Sequence, residues 1–277
     1  TSSPNDKTWV YDIDPAATFW DGTPVTAEDV AWSLNRHLDP EVGSYWGFYF
    51  RSVDSIEVTG DRQVTVHLVE PDWLFNVGMA TPAGMVLKKS ALEGAEGALG
   101  TSTSPYMCSG PYELDTWTAG QSIVLKANPN YWKQDRLPKV QKAEFTFLPD
   151  DSSLTNALLT GELDGTYHAP YGALDRLEGS DSGALYLGQS LIQFDLIHAR
   201  SDGPLQDVRI RQALSMALDR DAIADTAFAG AAVPARTLVA QGAYSYAKDV
   251  YQAAWDALGP IPYDLEAAKA LVAEVGD

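Results

Sequence analysis

The chain has 277 residues, and 38 Asp and Glu against 19 Lys and Arg give it a formal net charge of −19. Such a surface repels phosphate backbones and argues against general nucleic-acid binding. One cysteine, Cys108, excludes an internal disulfide and any CxxC redox or metal site, and no apolar run reaches the ~18 residues of a membrane helix.

Hydrophobic residues make up 45% of the chain, ample for a packed core; the length permits two domains without demanding them. Residues 1–9, "TSSPNDKTW", carry neither the basic nor the apolar stretch of an export signal. "KTWVYDI" (7–13) alternates with the period of a half-buried strand. "WDGTP" then supplies turn residues. Thr26 precedes "AEDVAWSLNRHL" with Asp29 three residues on, a variant capping box. Val30, Leu34 and Leu38 recur every fourth residue and predict the buried stripe of that helix. Glu28 and Asp29 suit a helix N-terminus electrostatically. They do not suit a catalytic pair, because sequence neighbours on a helix point in different directions.

"SIEVTGDRQVTVHLV" (55–69) predicts a hairpin turning at Gly60-Asp61, and "PDWLFNVGM" a short helix. The Gly-, Ser- and Pro-rich stretch 93–112 is the best candidate for a domain crossing. "YELDTWTAGQSIVLKAN" predicts a second hairpin, "NPNYW" a turn, and "AEFTFLP" a strand. Ser152 or Ser153 is expected to cap a helix in "SSLTNALLTG" that Gly161 closes. "LDGTY" follows as a further short strand, so a β–α–β succession points to an α/β lobe. Asp207 caps "VRIRQALSMAL", and Asp219 caps "RDAIADTAFAG", which Gly230 ends. The tail places Leu265, Ala268, Leu271, Val272 and Val275 on one helical face, with Gly276 as the stop.

Motifs for chemistry are sparse. His37, His67, His168 and His198 lack HExxH or zinc-finger spacing. GxSxG and GK[ST] are absent, and "GAEGALG" lacks the spacing of a dinucleotide loop. Arg209, Arg211 and Arg220 admit an anion site, but Asp207, Asp219 and Asp221 lie within a turn of them and favour helix-surface ion pairs. "GSYWGFYF" (43–50) and "TYHAPYG" (166–172) place rings beside Gly and Pro, off any clean amphipathic stripe. Rings there offer wide contact at small entropic cost, although core packing explains any single one.

Five stretches, in order, resemble the bacterial extracellular solute-binding proteins of family 5, the oligopeptide- and dipeptide-binding group of ABC importers. They are "FWDGTPVTAEDVAWSLNR", "SGPYELDTWTAGQSIVLKANPNYW", "LLTGELDG", "PLQDVRIRQALSMALDRDAIADTAFAG" and "YDLEAAKALVAEVG". The resemblance implies an α/β fold of mixed α+β lobes, periplasmic-binding-protein-like type II. Residues 1–108 would be an accessory lobe, 109–198 part of the first ligand-binding lobe, and 199–277 the beginning of the second. Members are about twice this length, so the chain is similar to an excised piece that by itself holds peptide weakly or not at all. Where the family reads Gly-Thr-Gly-Pro-Tyr, this chain has Cys108-Ser109-Gly110-Pro111-Tyr112, which keeps the Gly-Pro turn.

The implied function is capture of oligopeptides or dipeptides by lobe closure and delivery to a membrane permease, with no catalytic residue, metal or cofactor. It also implies a monomeric full-length protein, extracellular or periplasmic and anchored as a lipoprotein by a cysteine other than Cys108. The implied ligand contacts are Tyr45 and Trp46, Tyr167 and His168 of "TYHAP", and Gln193 and Phe194 of "QFDLIHA", a stretch similar to the strand leading into the hinge. The same scaffold serves nickel chelates and oligosaccharides. An acidic hydrolase is the alternative of another class, and no paired carboxylate motif supports it.

Overall fold

The computed structural model describes residues 7–188, 190–200, 202–243 and 246–275. Residues 1–6 and the expected stop Gly276 lie outside them. The chain forms two compact units, Thr1–Phe147 and Leu148–Asp277.

In the first unit, β1 (Thr8–Asp12) leads to α1 (Ala27–Asn35), a 3-10 helix (Tyr45–Phe50), β2 (Val53–Gly60) and β3 (Gln63–Leu68). The strands form an antiparallel sheet in the order β1-β3-β2, and the expected hairpin turns through Asp61 and Arg62. Central β3 buries Val64, Val66 and Leu68, alternate residues on one face. They pack with Ala27, Ala31 and Leu34 of α1 and with Phe50, Ile56 and Phe75.

The predicted stripe on α1 holds only in part. Leu34 is buried and Val30 half-buried, but Leu38 is exposed. The helix has already ended at Asn35, and the chain turns away through Pro40 and Gly43, the latter at φ +56°. Two of the residues that α1 does bury, Asp29 and Ser33, are polar because a distant segment docks on them. Thr26 Oγ1 accepts from the Asp29 N–H at 3.1 Å, and Asp29 Oδ2 accepts from the Thr26 N–H at 3.1 Å, closing the capping box. The other carboxylate oxygen accepts from the Lys89 N–H at 2.9 Å, and Ser33 Oγ accepts from the Leu87 N–H at 3.0 Å. Asp29 therefore serves two helix starts, those of α1 and of α3 (Lys89–Leu92).

Between β3 and the second sheet lie α2 (Phe75–Gly78), the expected short helix, and α3 (Lys89–Leu92). β4 (Tyr112–Thr118), β5 (Ser122–Ala127) and β6 (Lys142–Thr146) follow, antiparallel in chain order, and match the second hairpin and the strand in "AEFTFLP". At the "NPNYW" turn, buried Asn128 donates to the Gly110 carbonyl and its N–H to that of Pro111, tying the Gly-Pro turn to the end of β5. Cys108 pairs with Leu87 in an isolated bridge, and burial pushes its thiol up to about 11, which makes it a poor nucleophile.

The second unit is helical: α4 (Asp151–Leu159), α5 (Leu174–Glu178), α6 (Val208–Met216), α7 (Arg220–Ala227), α8 (Lys248–Leu258) and α9 (Leu265–Val275). Asp150, not Ser152 or Ser153, caps α4, its carboxylate accepting from the Ser153 N–H at 2.7 Å. An ionised acceptor outcompetes a hydroxyl for that place. Gly161 closes the helix at φ +73°. "LDGTY" is a series of bends and "QFDLIHA" an unpaired stretch, not strands. A strand exists only where a neighbour takes up its N–H and C=O groups, and among the described residues none runs beside either segment. The β–α–β succession is thus absent here, and both described sheets are antiparallel.

Asp207 and Asp219 cap α6 and α7 as expected. α6 packs against α9, burying Ala213 and Ala268. On α9, Leu271 and Val275 are half-buried but Leu265 and Val272 are exposed. Of the three arginines only Arg209 makes the expected ion pair, with Asp207 at 2.6 Å. Arg211 instead donates to the carbonyls of Leu205 and Gln206, and Arg220 to that of Ser215. These carbonyls lie next to helix ends, where guanidinium donors replace lost backbone partners.

Asp29→Ala removes the acceptor of two backbone N–H groups and is expected to cost the first unit about 2–3 kcal/mol in urea unfolding, against less than about 0.5 kcal/mol for exposed Glu28→Ala. Equal effects would contradict the clamp. Hydrogen bonds from Lys88 and Thr23 pull the Asp21 carboxyl from 3.8 to about 2. The folded state holds the lower value, so this stabilisation is complete above pH ~4 and fades as the pH falls towards 2. Lys88→Ala should lower the stability measured by urea unfolding at neutral pH, by no more than about 1 kcal/mol for a partly exposed pair, and have progressively less effect as the pH falls through about 2.

Candidate functional site

Tyr45 and Trp46 open the 3-10 helix of the first unit. Ser44 caps it, its hydroxyl accepting from the Trp46 N–H at 3.2 Å, and His37 Nδ1 lies 2.6 Å from the same hydroxyl. The imidazole stacks on buried Phe50 at 4.6 Å, and burial lowers its affinity for a proton. A largely buried support thus fixes the start of the helix. Trp46 packs against the core, whereas Tyr45 is 79% exposed and meets it edge-on at 5.1 Å. Phe48 and Tyr49 extend the pair into an aromatic face: Phe48 lies 4.2 Å from Tyr49, and Tyr49 stacks with Trp46 at 6.2 Å. These two rings stood in the quoted "GSYWGFYF". Sequence alone did not show that Tyr45 and Phe48 face outward while Trp46 and Tyr49 anchor them.

The other four candidates belong to the second unit. Tyr167 is 99% exposed, and the His168 N–H donates to Thr166 Oγ1. The His168 ring meets Tyr171 edge-on at 5.5 Å, Tyr171 meets Phe228 at 5.1 Å, and Phe228 meets Phe194 at 5.2 Å. The fold therefore joins His168 to Phe194 through Tyr171, a ring of the quoted "TYHAPYG" that opens a 3-10 helix (Tyr171–Ala173) before α5, and through Phe228 at the end of α7, a ring not singled out from sequence. Gln193 donates through Nε2 to the Thr237 carbonyl at 2.5 Å, while its Oε1 is buried without a donor among the described residues.

These groups offer π faces and amide hydrogen bonds, the equipment of recognition. Among the described residues the carboxylates with displaced pKa values, Asp21, Asp150 and Asp207, are all held down by hydrogen bonds, each at a turn or a helix cap. Staying ionised suits a cap and is the opposite of what a general acid at neutral pH requires. Among the described residues no three His, Cys, Asp or Glu side chains gather to hold a metal.

The family model for bacterial extracellular solute-binding proteins, family 5 Middle, matches residues 1–276. The chain belongs to that family. Among its curated relatives, the periplasmic oligopeptide-binding protein OppA of Salmonella typhimurium is 30% identical over 237 residues, 78% of this chain and 43% of that protein. The glutathione-binding protein GsiB of Escherichia coli is 29% identical over 276 residues, covering all of this chain and 51% of GsiB. The solved oligopeptide-binding protein AppA of Bacillus subtilis, in complex with a nonapeptide, shares the fold at a TM-score of 0.79 and 22% identity, over 100% of this chain and 54% of AppA. The chain spans about half the length of these relatives.

Gly78 tests how the family 5 chain sets its first aromatic face. A Cβ there would stand 2.8 Å from Tyr49 Cδ1. Gly78→Ala should displace the Tyr49 ring and change the near-ultraviolet circular dichroism while the far-ultraviolet spectrum is kept. An unchanged aromatic spectrum would show that Tyr49 is not held as described.

Proposed function

We propose that this chain is part of the substrate-binding component of an ABC importer, one that captures oligopeptides or dipeptides by lobe closure and hands them to a membrane permease. The observation carrying the reading is the two ring clusters at Tyr45–Tyr49 and His168–Phe228, the first anchored on a core and both partly open to solvent. The solutes in the names of OppA and GsiB, oligopeptides and glutathione, are both peptides and favour this class over nickel chelates or oligosaccharides. In this reading residues 1–108, 109–198 and 199–277 belong to three lobes. Tyr45, Trp46, Tyr167, His168, Gln193 and Phe194 touch the solute, and closure is driven by contacts made only in the closed form. The full-length protein would be a monomer outside the cytoplasm, held by a lipid anchor.

Binding by these residues leaves the peptide bond intact. The chain at high concentration, titrated with defined oligopeptides and followed by NMR and mass spectrometry, should show saturable but weak shifts, with Kd on the order of 1 mM, and unchanged peptide masses. Tyr45→Ala should weaken binding about fivefold, the worth of one aromatic contact. Steady cleavage of the peptides would make the protein an enzyme and end this reading.

A further inference from the structure

We infer that Tyr171, Phe228 and Phe194 form a subsite for a cationic side chain, a lysine or an arginine, of the bound solute; the inference rests on the solute-binding reading above. Elsewhere the chain covers ring faces with its own cations. Arg36 lies over Trp32 at 5.1 Å, Lys133 over Trp132 at 4.6 Å, and Arg236 over Trp255 at 5.6 Å. Among the described residues no Lys or Arg lies so over Tyr171, Phe194 or Phe228, although Phe194 is 74% exposed. A ring face attracts a cation through its quadrupole, and the attraction grows as water is excluded.

Charge points the same way. Residues 148–277 hold 19 of the chain's 38 acidic side chains but 8 of its 19 basic ones. Several of those basic groups are engaged within the unit, Arg209 with Asp207, Arg200 with Asp202, and Lys269 with Glu266. Asp225, an exposed residue of α7, stands three residues before Phe228, the residue on which the helix ends. Asp195 adjoins Phe194 in sequence. Gln193, the sequence neighbour of Phe194, holds a buried Oε1 without a donor among the described residues, its Nε2 bonded to the Thr237 carbonyl. An ammonium or guanidinium carries N–H donors that an apolar side chain does not.

The 277-residue chain is titrated with three capped tripeptides, acetyl-Ala-Lys-Ala-amide and its Leu and Glu counterparts, while the aromatic NMR signals of both ring clusters are followed. The Lys peptide is expected to shift Tyr171, Phe194 and Phe228 saturably, with the Leu peptide about fivefold weaker and the Glu peptide weaker still. Raising salt to about 1 M should erode the preference for Lys. Phe194→Leu, which keeps an apolar side chain against Phe228 and whose fold is checked by far-ultraviolet circular dichroism, and Asp225→Asn should each weaken the Lys peptide about threefold or more. Equal binding of the Lys and Leu peptides, or unchanged binding in both variants, overturns the cationic subsite and leaves solute binding standing. Shifts confined to the Tyr45–Tyr49 rings overturn it in the same way. No saturable shift at either cluster with any probe counts against the solute-binding reading as well.

Discussion

The first unit depends on a carboxylate that it cannot solvate. Asp29 lies buried at the start of α1, and its charge is tolerated because its oxygens receive N–H donors from Thr26 and from Lys89, sixty residues on. A buried carboxylate is costly without such donors and stabilising with them. The bond from Lys89 fixes the start of α3 on α1, while α1 itself lies on the sheet through Ala27, Ala31 and Leu34. The core beneath α1 in turn includes Phe50, the last residue of the helix that carries Tyr45 and Trp46. The acidic cluster of "DGTPVTAEDV" is therefore scaffolding, and its effect on function is indirect: it holds the floor on which an aromatic face stands.

The second unit is built differently. Its buried residues are chiefly alanines with Leu174 and Trp255, whereas Leu191, Ile192, Phe194, Leu196 and Ile197 are all largely exposed. Little apolar area leaves water there, so the hydrophobic contribution per residue is small. Order comes instead from caps at Asp150, Asp207 and Asp219, from arginines on backbone carbonyls, and from the ring sequence His168–Tyr171–Phe228–Phe194. Rings that keep structural roles while leaving a face in solvent are suited to gripping a guest reversibly.

Local chemistry made much of this legible from sequence. The capping box at Thr26 and Asp29, the caps at Asp207 and Asp219, and the hairpins around Gly60-Asp61 and Gly120 each need only a few adjacent residues, and each formed. What failed depended on distant neighbours. "LDGTY" and "QFDLIHA" have strand composition but lack a ladder partner among the described residues. Leu38 follows the helical period but lies past the point where the helix stops. α8 went unnoticed although Tyr251, Trp255 and Leu258 recur at helical spacing; it lacks a side-chain N-cap, and Ala247 stands at its start with φ +47°. At the candidate site the ring-bearing stretches, Tyr171 among them, were visible, but Phe228 joined Tyr171 only through the fold, being 57 residues away in the chain.

The central claim proposed above, that the exposed aromatic faces of each unit contact a peptide without altering it, is tested most directly by photo-crosslinking. A lysine-containing peptide bearing a benzophenone group is irradiated with the chain, and the labelled sites are mapped by mass spectrometry. The account predicts adducts of the intact peptide at Tyr45–Tyr49 and around Tyr171, Phe194 and Phe228, suppressed by excess unlabelled peptide. Labelling scattered over the surface and indifferent to competitor, or adducts of cleaved peptide, would contradict it.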